Sequence, residues 1–118
     1  MCGRYAASAN LDDLVEEFEV DEDHTGEPAR SILVTPQDPP AGTPDYNMAP
    51  TKQAPVVLTR TPRGSESGVE PLRQLRLLTW GLVPSWSKDV RGGARMINAR
   101  AETVAEKPAF RRAFAKRR

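Results

Sequence analysis

The chain has 118 residues, 38% of them hydrophobic, with eleven prolines and a formal net charge of +1. That length supports one small domain with a limited core, and the proline content argues for irregular, strand-rich architecture rather than a helix bundle. One cysteine and one histidine exclude an intrachain disulfide and any Cys-cluster or multi-histidine metal site, which suits a reducing compartment. No apolar run is long enough for a signal segment or a membrane span, so a cytoplasmic protein with no membrane partner and no metal or other cofactor is expected.

The small net charge hides an asymmetry. Residues 10–45 carry eleven carboxylates and one arginine, whereas residues 88–118 carry ten Lys or Arg against three carboxylates. A basic third of this kind is the electrostatic footprint of a phosphate-bearing partner. The bland alternative for the run 111–118 is a solvated helix face.

In chain order, Met1-Cys2-Gly3-Arg4-Tyr5 comes first. The small side chain at position two permits removal of Met1, which would leave an α-amine and a thiol on one carbon. Both groups are fractionally nucleophilic at neutral pH. An aldehyde attacked by the amine gives an imine, and the thiol then closes a five-membered thiazolidine far more durable than a Schiff base. The same pair is equally a candidate amidohydrolase nucleophile with its own amine as base, or Cys2 is a small buried residue beside a start codon. Arg4 and Tyr5 predict the start of a short strand.

Asn10 reads as a helix N-cap, followed by Leu11, Leu14, Val15 and Phe18 at i, i+3, i+4 and i+7. The opposite face holds Asp12, Asp13, Glu16 and Glu17, which read as solvated. His24 lies in an acidic loop with no role assigned. A short apolar Ile32-Leu33-Val34 predicts a strand, and the Pro/Gly-rich residues 39–44 predict a surface loop. Tyr46-Asn47-Met48-Ala49-Pro50 reads as an edge or corner segment, since Pro50 lacks a backbone donor. Residues 54–60 and 72–82 predict an antiparallel hairpin with a long, turn-rich connection.

Trp80-Gly81-Leu82-Val83-Pro84-Ser85-Trp86 places two indoles just before a basic stretch. Trp80, closing a strand, is expected in the core. Trp86, in a Pro/Ser turn, is either core or a stacking platform for a base of single-stranded nucleic acid. Asn98 follows with both donor and acceptor capacity, and Arg100 with a planar fork suited to phosphate. Residues 107–118 predict a closing helix with Pro108 in its first turn and Phe110, Ala113 and Phe114 on one face.

Taken together, Met1-Cys2-Gly3-Arg4-Tyr5, Tyr46-Asn47-Met48-Ala49-Pro50, Trp80-Gly81-Leu82-Val83-Pro84-Ser85-Trp86 and Ile97-Asn98-Ala99-Arg100-Ala101-Glu102-Thr103 resemble the SRAP (SOS response-associated peptidase) family, in that order and across essentially the whole chain. The resemblance implies an α+β, mainly β fold, with an antiparallel, barrel-like sheet and peripheral helices. It also implies that Cys2 captures the ring-opened aldehyde of an abasic site in single-stranded DNA as a thiazolidine DNA–protein crosslink. By the same match Cys2 and Asn98 would form the reactive pair, Arg4 and Arg100 would bind flanking phosphates, Asn47 and Pro50 would line the DNA edge, and Trp86 would stack on the last ordered base.

The family's active-site glutamate and histidine match no position here, and His24 is wrongly placed to substitute. Residues 1–118 are therefore expected to be the N-terminal part of a single SRAP domain with an incomplete sheet, its partners single-stranded abasic DNA near the nucleoid and the remaining half of the domain. Two other readings stay open: a cysteine peptidase, as the family's name implies, and a non-covalent reader of single-stranded or modified DNA in which Cys2 is incidental.

Overall fold

The computed structural model describes residues 2–28 and 36–116. The elements are β1 (Tyr5–Ala7), α1 (Leu11–Glu17), β2 (Glu22–Asp23), β3 (Asp45–Met48), β4 (Gln53–Arg60), β5 (Leu72–Thr79), a 3-10 helix (Val90–Arg95) and α2 (Arg111–Lys116). Strands dominate an α+β fold, and its two open sheets are consistent with an incomplete barrel-like arrangement. No described helix is long and apolar enough to cross a membrane. The predicted strand at Ile32-Leu33-Val34 lies outside the described residues.

The hairpin forms as its pattern predicts. β4 and β5 pair antiparallel from Gln53 opposite Thr79 to Arg60 opposite Leu72. β5 is central in a three-stranded sheet of order β2-β5-β4, so Pro55 falls on an edge strand, where a residue without an N–H is tolerated. Leu75 is fully buried and Ala54 nearly so. β5 ends at Thr79 rather than at residue 82, because Gly81 takes a φ of +142° and presses its Cα against the Gly93 carbonyl, leaving no room for a side chain.

The other edge is β2, a two-residue strand parallel to β5 that no sequence pattern announced. Backbone bonds from Asp21 N–H to the Arg73 carbonyl (2.9 Å) and from His24 N–H to the Leu75 carbonyl (2.9 Å) hold it. His24 accordingly sits beside a strand, its ring between the Glu22 carboxylate (2.9 Å) and that of Glu27 (2.5 Å). Arg76 on β5 reaches the same Glu27 at 3.1 Å.

α1 starts as predicted: the Asn10 side chain accepts from the Asp13 N–H at 2.9 Å. It stops after seven residues, because Glu19 adopts a left-handed φ of +47°, with Val20 N–H bonding the Val15 carbonyl and Glu19 N–H the Glu16 carbonyl. This is a Schellman-type C-cap with glutamate in the place usually taken by glycine. At the other end, α2 is regular only from Arg111, although bonds from Phe110 and Arg111 N–H to the Lys107 carbonyl prefigure it.

A second sheet pairs β1 with β3 antiparallel, Tyr5 opposite Met48 and Ala7 opposite Asp45, with an irregular register between them. Met48 is 1% exposed and anchors this sheet to the core. The N-terminus thus lies along an edge whose neighbour is the Asn47-bearing strand.

Candidate DNA-lesion site

Three segments distant in sequence meet around Cys2. The Asn98 amide donates to the Cys2 carbonyl at 2.7 Å across 96 positions. The Arg4 guanidinium donates to the Asn47 Oδ1 at 3.2 Å across 43. The Cys2 side chain is exposed and its thiol is free. Asn98 therefore anchors the main chain that presents the thiol, while its own Oδ1 has no partner among the described residues.

Trp80 is the strut between these parts. Its indole N–H donates to the Ile97 carbonyl at 2.9 Å, one residue before Asn98, while its ring meets Tyr5 edge-on at 5.5 Å and 67°. One half-buried side chain therefore ties residues 96–98 to both β1 and the end of β5. A backbone bond from Leu82 N–H to the Met96 carbonyl (3.0 Å) continues the connection. Beside Asn98 runs an apolar groove of about 390 Å³ lined by Trp80, Leu82, Ile97, Val104 and Phe110.

The Asn47 side rests on a buried ion pair. Asp45, 3% exposed, accepts from Lys52 Nζ at 2.6 Å through Oδ2 and from the Asn47 N–H at 2.8 Å through Oδ1. The Lys52 bond, then that amide, hold the Asp45 carboxyl below the usual carboxylate range. Tyr5 moves the opposite way, its phenol pushed up by burial and then by the Asp45 charge.

The other predicted residues are arranged unevenly. Pro50 is half-buried and lies in the turn that follows β3. Arg100 is exposed, and its guanidinium pairs with no described side chain, as a phosphate contact requires. Trp86 is 65% exposed and so is not part of the core formed by the described residues. It lines a separate cleft of about 380 Å³ with Ser85, Pro108, Arg111 and Arg112, where Arg112 donates to the Ser85 hydroxyl at 3.2 Å. The strut role of Trp80 and the Asp45–Lys52 pair went unread in the sequence. The Trp80 signal was present as an indole needing an acceptor in a half-buried position; the seven-residue Asp45–Lys52 spacing has no periodic signature. Among the described residues no group of three or more His, Cys, Asp or Glu is placed to hold a metal ion.

Residues 1–118 match the profile of the family described as SOS response associated peptidase (SRAP). The chain is similar to the abasic site processing protein YoqW of Bacillus subtilis (strain 168), 38% identical over 120 residues, covering all of this chain and 43% of YoqW. It is 37% identical over 120 residues to YoaM of the same organism, again over the whole chain and 42% of that relative. The abasic site processing protein HMCES of Rattus norvegicus is 29% identical over 123 residues, over the whole chain and 33% of that protein. The chain thus spans less than half the length of the curated relatives it matches, and over that span it belongs to the SRAP family.

Proposed function

We propose that this chain captures abasic sites in single-stranded DNA through Cys2. The observation that carries the reading is the Asn98–Cys2 bond, which brings a donor and acceptor amide from 96 residues away to the main chain that carries an exposed thiol. The relatives' names supply the lesion, since they are abasic site processing proteins.

The chemistry follows from an amine and a thiol on one carbon. Once Met1 is removed, the Cys2 amine attacks the aldehyde of the ring-opened sugar, and the carbinolamine loses its oxygen as water to leave an imine. The sulfur then bonds to the imine carbon, and the thiol proton ends on nitrogen. One C–N and one C–S bond form, one carbonyl is lost, and nothing is oxidised or reduced.

In this reading Asn98 holds the Cys2 main chain with its amide N–H and offers Oδ1 to a sugar hydroxyl. Arg4 and Arg100 take flanking phosphates by charge-assisted contacts. Trp86 stacks on a base in the Arg111/Arg112 cleft, a contact worth about 1–3 kcal/mol. No residue of the 118 matches the family's glutamate and histidine. Positioned proton transfer typically contributes ~10²–10⁴-fold, so capture by this chain alone is expected to be slow.

The reading is tested by incubating wild type, Cys2→Ala and Cys2→Ser with a single-stranded oligonucleotide bearing one abasic site, followed by a denaturing gel. A heat-stable shifted band for wild type alone supports it. Equal bands in wild type and Cys2→Ala overturn it. If all three variants bind the DNA but none shifts, the chain is a non-covalent reader.

A further inference from the structure

The Asp45–Lys52 pair lies outside the reactive group, yet its hydrogen bonds converge on Asn47, the partner of Arg4. Asp45 is almost completely buried and uses both carboxylate oxygens, one on Lys52 and one on the Asn47 N–H. Lys52 spreads its ammonium over the Asp45 carboxylate (2.6 Å), the Asp38 carbonyl (3.0 Å) and the Asn47 carbonyl (3.4 Å). Asn47 is therefore gripped at both its N–H and its C=O. Its only remaining polar group, the side-chain amide, accepts from Arg4.

The turn that returns Lys52 to Asp45 is strained, which indicates that the pair is held rather than incidental. Lys52 N–H bonds the Ala49 carbonyl at 3.2 Å, enclosing Pro50 and Thr51. Proline at the second position and a positive φ at the third are the demands of a type II turn, whose third position favours glycine. Here Thr51 occupies it at φ +75°, a conformation that costs a β-branched residue free energy and persists only when its surroundings impose it. The β1–β3 ladder does not fix Arg4 by itself, since its pairing begins at Tyr5.

We infer that Asp45 and Lys52 are positioning residues: together they lock Asn47 so that its side chain holds the Arg4 guanidinium on the DNA-facing edge beside Cys2. This rests on the reading that single-stranded DNA is the ligand. Lys52, though cationic and near that edge, is committed to three protein acceptors and is not itself a phosphate contact. The consequence runs against simple electrostatics. Neutralising a carboxylate near a polyanion should tighten binding, whereas loosening Arg4 should weaken it.

The test measures equilibrium binding of an unmodified single-stranded oligonucleotide by fluorescence anisotropy, as a function of salt, alongside capture of the abasic oligonucleotide. Asp45→Asn is expected to weaken binding about tenfold, the loss of one hydrogen bond to a charged group. It should lower the salt slope by the same amount as Arg4→Ala, and have no further effect in the Arg4→Ala background, where a purely structural defect would add. Asp45→Asn/Lys52→Met leaves no unpaired buried charge and should reproduce the single variant while remaining folded; Lys52→Arg, which keeps the charge paired with Asp45, should retain wild-type binding.

Tighter binding by Asp45→Asn, or additive losses with Arg4→Ala, would overturn the inference. Wild type that binds the unmodified strand in this pattern but yields no adduct sinks covalent capture and leaves the positioning role standing. Wild type that binds no single-stranded DNA removes both.

Discussion

Trp80→Phe probes the account where structure and chemistry meet. The substitution keeps an aromatic ring against Tyr5, at present 5.5 Å away and edge-on, but removes the indole N–H that bonds the Ile97 carbonyl at 2.9 Å. The net worth of such a bond is about 0.5–1.5 kcal/mol, and leaving a carbonyl unsatisfied in a partly buried position raises the cost toward the lower part of the ~1–3 kcal/mol range. The expected loss is therefore about 1–2 kcal/mol. Trp80→Ala also forfeits the ring contact and the buried area, for a loss of about 3–5 kcal/mol. Urea unfolding followed by far-ultraviolet circular dichroism measures both, since the remaining tryptophan, Trp86, is 65% exposed and its emission reports little on folding. Because Ile97 precedes Asn98, Trp80→Phe should also slow capture of abasic DNA by Cys2 more than it lowers affinity for the strand. A Trp80→Phe variant within about 0.5 kcal/mol of wild type, the range of an ordinary surface change, would refute the strut role.

Two further predictions concern the frame. Glu19→Gly should stabilise the chain by about 0.5–1 kcal/mol, because glycine suits the left-handed C-cap, while the surface pair lost to Arg73 is long at 3.4 Å and worth little; chemical denaturation reads the gain. The His24 cluster makes the attachment of β2 depend on pH. Hydrogen bonds donated to Glu22 and then to Glu27 hold the His24 pKa above its ordinary value, against opposition from burial and Arg76. A raised histidine contributes stability that is complete below about pH 6.5 and disappears as pH climbs through the folded value. Glu22 and Glu27, both lowered chiefly by their bonds to His24, act in the opposite sense, their contribution fading as acid takes them through their folded values. Amide exchange at His24 and Asp21, corrected for intrinsic rates, should therefore speed up as pH rises above about 6.5 through the raised folded value in wild type and stay flat in His24→Gln.

The elements legible in the sequence were those with a local cause. The β4–β5 hairpin followed from apolar and β-branched runs, and the start of α1 from Asn10 three residues before an N–H that needed an acceptor. The end of α1 was hidden because glutamate, not glycine, fills the left-handed position at residue 19. β2 was hidden because Glu22 and Asp23 carry no strand propensity; the central β5 strand recruits them through the backbone.

At the site, the motif residues Cys2, Arg4, Asn47 and Asn98 were legible as members of one group, and the fold joins them in two hydrogen-bonded pairs. Trp86 is exposed, as a stacking platform requires, but in a cleft of its own with Arg111 and Arg112. The supports behind the first group, Trp80 on Ile97 and Asp45 on Lys52, were not legible. Each depends on an approach between side chain and partner that neither periodicity nor composition records.

The most direct test of covalent capture by Cys2 is the intact mass of the adduct, followed by alkylation with iodoacetamide. The account predicts a species equal to the chain without Met1 plus the oligonucleotide, less one water, that resists alkylation, since the only thiol in the molecule would be locked in the ring. A species of that mass whose thiol still alkylates would be a simple imine and would contradict the thiazolidine. No such species from a chain shown to lack Met1 would contradict capture itself.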